Sequence, residues 1–487
     1  MKSGQIFIYL CFCEFLWYLA LCVECPYKEC DCFPPDIFCL GKGLQSMPQL
    51  NNISTTTDYT TLLLDDNQIE IVSAGSLLPN LTVLSLLNNP VTSIDDTAFI
   101  DSSKTLNILS ISNARFTRMP NALLSLQNLH ELQIKQVGDL DWNEDVMKVV
   151  GSTVRILYLE EVNLTTPPDW LQYFSQVTQL TIIGSNLSSL PDTAMDKMAN
   201  TAITICFTNN ALTEVPKALS NLTSLQFLHL RNNRISSTKW LPTSSRLSYL
   251  TLNENHIFNS TELSESLSPY ANSLVGLNIE DNDLDSLQDL SKLTRLGSLS
   301  FKNNKISNYS QGALPSGLSI LDLENNLLST IPVMVPGLEN IIKIVLRSNM
   351  ITQINDTDLP PRASTVVLSF NLITELNDDS FPENSVIENL FLNNNPIYKI
   401  SPAAFANLHR LEVLSLQSTK LTRVPVALSS LEGLGSLDIT NIAGLVCTCQ
   451  EKGVAQWVQA RESYRVIGDC GEISVYNFFT KLDPGCL

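Results

Sequence analysis

Leu225 to Ile235 reads LQFLHLRNNRI, with leucine at the first, fourth and sixth places, asparagine at the ninth and isoleucine at the eleventh. Leu318 to Leu328 (LSILDLENNLL) and Ile387 to Ile397 (IENLFLNNNPI) follow the same rule. Between Tyr59 and Gly444 the pattern Leu-x-x-Leu-x-Leu-x-x-Asn-x-Leu recurs about seventeen times, with adjacent copies 22 to 27 residues apart. The run x-Leu-x-Leu-x has period 2, which predicts a short strand. In the eighth copy Leu228 and Leu230 then face inward, and Phe227, His229 and Arg231 face outward. One unit cannot bury its own apolar side, so the units must stack and share a core. The strands pair in parallel, about 4.8 Å apart, giving an arc roughly 80 Å long. The remainder of each unit is bulkier than its strand, so the stack curves with the strands on the hollow side. Length alone would suggest about three domains, but the repeat replaces them with one elongated body.

The asparagine sits where the chain turns out of the strand, and its amide can pair backbone groups buried there. Asn67, Asn89, Asn210, Asn233, Asn255, Asn282, Asn304, Asn326, Asn349, Asn371 and Asn395 occupy this place. Four consecutive copies carry Ala114, Val137, Val162 and Ser185 instead, and two late ones carry Thr419 and Ile442. Either the ladder is interrupted around residues 106–187, with a change of curvature, or the site tolerates substitution. Beyond the turn, some copies continue as TRMPNALLSL (Thr117 to Leu126) or TEVPKALSNL (Thr213 to Leu222). Others end in Ala98-Phe99 or Ala404-Phe405, whose phenylalanines are expected to plug the convex side of the core.

Residues 1–22 begin with Lys2 and run mostly apolar from Ile6 to Cys22, which reads as a secretory signal peptide. A signal anchor is the alternative, made less favourable by Glu14 within the stretch. No later window has the roughly 20 apolar residues of a membrane span, and no lipid-anchor signal is visible. A net charge of -19 argues against nucleic acid as a partner. Cys25, Cys30, Cys32 and Cys39 cluster near one end and Cys447, Cys449, Cys470 and Cys486 near the other, with Cys206 alone between them. Two even clusters in an exported chain read as disulfide-stapled caps, each with three possible connectivities; a zinc site is the rival reading. Sequons at Asn52, Asn80, Asn163, Asn186, Asn221, Asn259, Asn308 and Asn355 are expected to carry several glycans. The expected organisation is a signal peptide over 1–22, an N-terminal cysteine-rich cap over 23–58, repeats over 59–445 and a C-terminal cap over 446–487.

CPYKECDCFPPDIFCLGKGLQSMP (Cys25 to Pro48) resembles the N-terminal cap of extracellular leucine-rich-repeat proteins, with the spacing Cys-x4-Cys-x-Cys-x6-Cys. The segment from Cys447 to Cys486 is similar to their C-terminal cap: Cys-x-Cys, a tryptophan, then two spaced cysteines. That family includes Slit-like guidance proteins, small proteoglycan cores and Toll-type receptor ectodomains. The resemblance implies an α/β repeat fold, a curved solenoid with a parallel sheet on the concave face. It pairs Cys25 with Cys32, Cys30 with Cys39, Cys447 with Cys470 and Cys449 with Cys486. It also implies a secreted or cell-surface recognition protein that binds an extracellular protein or glycan on the concave or lateral face. A structural matrix component is the alternative. The sequence itself contains no Gly-rich phosphate loop, His-Glu-x-x-His or Gly-x-Ser-x-Gly, so neither an enzyme nor a cofactor is expected; an enzyme is the distant third reading. The sequence leaves oligomeric state open.

Outward strand positions can be read in columns across copies. The middle column runs Tyr158, Thr181, Cys206, His229, Thr251, Asn278; Ile156, Phe227 and Tyr249 lie to one side, Glu160, Arg231 and Asn253 to the other. Aromatic and arginine side chains are what binding hot spots use. The candidate ligand patch is therefore Phe227, His229, Arg231 and Tyr249, with Tyr158 as an outlier; chance placement on a long surface is the plain alternative. Cys206 beside His229 is either a passive thiol, an activated one, or the donor of an intermolecular disulfide.

Overall fold

The structure is a computed structural model that describes residues 25–51, 59–164, 166–309 and 312–482. The expected signal peptide, the Asn52 sequon and Cys486 lie outside these residues, and the side chains of Asn308 and Cys449 are not described.

One sheet of 20 strands runs the length of the molecule. It opens with an antiparallel hairpin, Asp31–Phe33 and Asp36–Phe38, inside the N-terminal cap. Every later pairing in it is parallel, from Ile37 beside Leu62 to Leu437 beside Val466. Removing the hairpin and the final cap strand Val466–Ile467 leaves seventeen repeat strands, Thr61–Leu63 through Ser436–Asp438. Their leucines align without offset: Ile205, Leu228, Leu250 and Leu277 are consecutive partners, and none is more than 7% exposed. This is the shared core that a single unit could not make.

On the convex side several units carry a single turn of 3-10 helix, such as Asn121–Ser125, Lys217–Asn221 and Val426–Ser430, each entered from a proline. Most units are too short for more. In the 27-residue unit from Leu247 to Leu274 the additional length forms an α-helix, Ser260–Leu267, capped by the Asn259 side chain. Phe99 and Phe405 are fully buried, and Phe405 packs on Phe381 with centroids 6.3 Å apart.

The asparagine ladder is continuous where the residue is present. Asn255 donates to the carbonyls of Leu230, Leu252 and Asn253 at 2.9, 3.0 and 3.3 Å, and its Oδ1 accepts from the Ile235 N–H at 2.9 Å. Each amide thus ties its unit to the one before. The residue preceding it turns the chain through the left-handed region. That residue is Asp, Asn, Gln, Glu, Ser or Gly184 in every repeat but one, where Phe370 takes it at φ 57°.

Across the four asparagine-free copies the interruption takes a definite form: the strands lengthen. Ile108–Ser112, Glu131–Lys135, Ile156–Glu160 and Gln179–Ile183 have five residues each, whereas every later repeat strand has three, as in Phe227–His229. Register continues to Ser112 beside Lys135 and Lys135 beside Glu160. Parallel pairing carried two residues farther gives the turn-side carbonyls backbone partners in place of the amide. The vacated place is filled by buried apolar residues, Ala114, Val137 and Val162. Ser185 keeps half of the old function, its Oγ accepting from the Val162 N–H and donating to the Ile183 carbonyl.

Disulfides join Cys25 to Cys32, Cys30 to Cys39 and Cys447 to Cys470. The buried Tyr27 hydroxyl donates to the Ser76 carbonyl at 2.9 Å and accepts from the Leu78 N–H, locking the first cap onto the repeats. At the other end Trp457 Nε1 donates to the Leu431 carbonyl at 2.8 Å, and Arg461 lies 3.8 Å over the Trp457 ring while capping Leu431 and Leu434.

Candidate functional site: the concave sheet face

The middle column is continuous: Tyr158, Thr181, Cys206, His229, Thr251 and Asn278 are consecutive partners across six strands. Around them the five candidate residues divide into separate groups. Phe227 and Tyr249, direct partners on adjacent strands, stack with centroids 5.5 Å apart and planes 10° apart. Tyr249 remains 45% exposed. The next strand permits this arrangement because it presents Gly276: a Cβ there would stand 2.5 Å from Tyr249 Cδ1, so the tyrosine ring lies across the glycine. His229 adjoins the stack, and its Nδ1 is 3.3 Å from Thr251 Oγ1. Burial holds the His229 imidazole below its ordinary pKa, favouring the neutral ring. Ile203 and Val275, each one residue ahead of its strand, extend the apolar edge on either side and are 38% and 37% exposed.

Arg231 points away from this edge. Its guanidinium pairs with Glu254, with contacts of 2.9 Å from Nε and 2.7 Å from the terminal nitrogen. Tyr158 lies three strands from His229 and belongs to another group. Its hydroxyl donates to Glu160 at 3.1 Å, Lys135 lies 4.5 Å over its ring, and Lys135 and Glu160 are 3.6 Å apart. Burial, then the Glu160 contact, raises the Tyr158 pKa to about 12. Cys206 is free and half-buried, with its Sγ 3.4 Å from Thr208 Oγ1.

The columns followed from the repeat, but Gly276 and Glu254 did not. A glycine at an outward strand position beside an aromatic was a usable signal for the first. Glu254 falls outside the strand, and nothing in the spacing marks it as the partner of Arg231.

Of the sequons with described side chains, Asn80, Asn186, Asn221 and Asn259 are exposed, and Asn163 and Asn355 half-buried. Asn163 and Asn186 occupy the same place in consecutive units, Asn186 donating to Asn163 at 3.1 Å and Asn163 to Asp139 at 2.5 Å. Among the described residues no three His, Cys, Asp or Glu side chains are grouped to hold a metal ion, and no helix is long and apolar enough to cross a membrane.

This is a leucine-rich-repeat protein with a cysteine-rich cap near each end. The family model for leucine-rich repeats matches residues 361–421 and 385–441. Mouse podocan is 26% identical over 90% of this chain and 71% of its own length. Zebrafish keratocan is 32% identical over 43% of this chain and 61% of its own. A leucine-rich-repeat protein of Leptospira interrogans superposes with a TM-score of 0.51 at 22% identity, covering 71% of this chain and 91% of that one, and so shares the fold.

Proposed function

We infer that the protein is an extracellular recognition molecule that takes a protein ligand on the strand-entry edge of its concave sheet, at Phe227, Tyr249 and His229. The observation that carries this is the Phe227–Tyr249 stack, in which Phe227 is half-buried and Tyr249 is 45% exposed. Two large rings held parallel over Gly276 offer a rigid, preformed apolar platform, the kind of anchor on which binding energy concentrates. The neutral His229 ring supplies a polar contact beside it. Arg231, compensated by Glu254, sets the rim. The likeness to podocan and keratocan, small leucine-rich proteoglycans, supports an extracellular matrix or recognition role. It also favours a second reading, a structural component that organises other extracellular polymers.

The test is capture of extracellular proteins by the purified, glycosylated chain, compared with the F227A/Y249A double variant. The expected result is loss of bound ligand by about 100-fold or more, with an unchanged melting temperature. Equal capture by both proteins would remove the site.

A further inference from the structure

A second site lies where the last repeats meet the C-terminal cap, and it goes beyond the concave-face reading. On this flank the short strand Glu375–Leu376 pairs in parallel with Lys399–Ile400, and in the next unit Arg423 forms a parallel bridge to Val446. Between these units and the first turn of the cap lies a cleft of about 400 Å³, walled by Tyr398, Lys399, residues 422–426, Gln450 and Glu451. Ligand sites commonly enclose about 300–1,000 Å³. Glu451 is 2% exposed. Its Oε2 accepts from the Thr448 N–H at 2.9 Å and from the Thr448 hydroxyl at 2.8 Å. Its Oε1 has no hydrogen-bond partner among the described residues. Arg423 stands 3.9 Å from that oxygen, and its guanidinium donates to the Gln450 side chain instead. A buried carboxylate oxygen on the wall of a cleft, with no donor of its own, calls for one from outside.

The charges around the cleft select the donor. An entering cation would meet Arg423 and Lys399, and an entering anion would meet Glu451. Lys399 is already compensated by Glu375 at 3.0 Å, and the Tyr398 hydroxyl donates to the same carboxylate. Arg423 and Lys399 thus balance Glu451 and Glu375, and the open acceptor suits a neutral hydroxyl. Tyr398, 53% exposed, adds a ring on which the C–H face of a sugar can lie. No sequon occurs after Asn355, so no N-linked sugar of this chain is attached at the cleft. We propose that the cleft binds a neutral saccharide unit, with Glu451 Oε1 accepting a hydrogen bond from a sugar hydroxyl and Tyr398 flanking the ring.

The test is saturation-transfer NMR on the full glycosylated protein with the methyl glycosides of galactose, glucose, mannose and N-acetylglucosamine. At least one should bind with a Kd of about 1 mM, and the methyl glycosides of glucosamine and glucuronate, which carry a charge, should bind more weakly than it. In E451Q the amide oxygen stays with the Thr448 N–H, so an NH2 group replaces the open acceptor; affinity should fall about tenfold or more. Y398A, at an exposed residue, should weaken binding about threefold at an unchanged melting temperature, which covers the case in which E451Q unsettles the cap. Three results would overturn the proposal: no transfer from any of the four neutral glycosides at about 10 mM, meaning that water alone satisfies Glu451; binding by E451Q and Y398A equal to that of the wild type; or tighter binding of a charged glycoside. F227A/Y249A should bind the sugar normally, which keeps this test independent of the concave site.

Discussion

From Ile108 to Ile183 four strands run five residues each and their turns lack the ladder asparagine; from Thr204 to Asp438 every repeat strand runs three. Both regions face the same obligation, since the carbonyls at the strand exit are buried and need donors. The first region meets it with backbone and the second, for most of its length, with side-chain amides. Their outward faces differ as well. The long strands carry a charged face that is internally paired, Lys135 with Glu160 and Glu160 with Tyr158. The first of the three-residue strands carry the stacked aromatics and the neutral histidine. The ladder type does not dictate the face, but the transition between the two lies at Thr204–Cys206, one strand before Phe227.

The comparison breaks most sharply at an asparagine. N255A leaves the Ile235 N–H without its partner and takes one of two donors from each of the Leu230, Leu252 and Asn253 carbonyls, which keep Asn233, Asn282 and the Asn232 N–H. At roughly 1–3 kcal/mol for the stranded N–H and less than about 1 kcal/mol for each carbonyl that keeps a second donor, the expected loss is about 2–4 kcal/mol in chemical denaturation. The converse substitution sharpens it. V137N restores the consensus residue within the long-strand block, where the carbonyls already have backbone donors, so the new amide is buried unpaired. It should destabilise by about 1–3 kcal/mol; a gain in stability would mean that the two ladders are not alternatives. Smaller still is R231A. The Arg231–Glu254 pair is exposed, and its removal should change stability by less than about 1 kcal/mol, measured against E254A and the double variant.

The smallest effect concerns pH. Burial lowers the folded-state pKa of His229, so as pH falls the unfolded chain takes up this proton first. The associated stability is complete above the unfolded-state value of about 6.5 and is lost as pH falls through the folded-state value. The long strands contain no histidine. H229Q should therefore flatten the decline in melting temperature between pH 7 and pH 5; an identical slope would show that the imidazole is not the source.

Much of this was legible from leucine spacing. Because each unit repeats at a fixed offset, the order Tyr158, Thr181, Cys206, His229, Thr251, Asn278 followed by counting, and the structure sets those residues side by side. Strand length was harder to read. Val137 and Val162 announced a missing amide, but the compensation lies in backbone pairing, which no residue type marks. The pairing of Arg231 with Glu254 was likewise hidden, since it depends on side-chain conformations at a turn. Gly276 beneath Tyr249 and Phe370 in the left-handed turn are signals by exception, visible only once every other repeat is aligned beside them.

The change of strand length also has a mechanical meaning. A pull along the stacking direction loads all the hydrogen bonds between two neighbouring units together, so the strength of a junction scales with how many it has. Junctions inside the five-residue block carry more backbone bonds than those beyond Thr204, and the capped ends are held by disulfides. Beyond Thr204 most junctions make up the difference with asparagine amides, so under tension one region is held by backbone alone and the other also by side chains. The Phe227–Tyr249 platform lies just past that boundary, so substitution of a ladder asparagine, which leaves the five-residue block untouched, would loosen the junctions beneath the stacked rings.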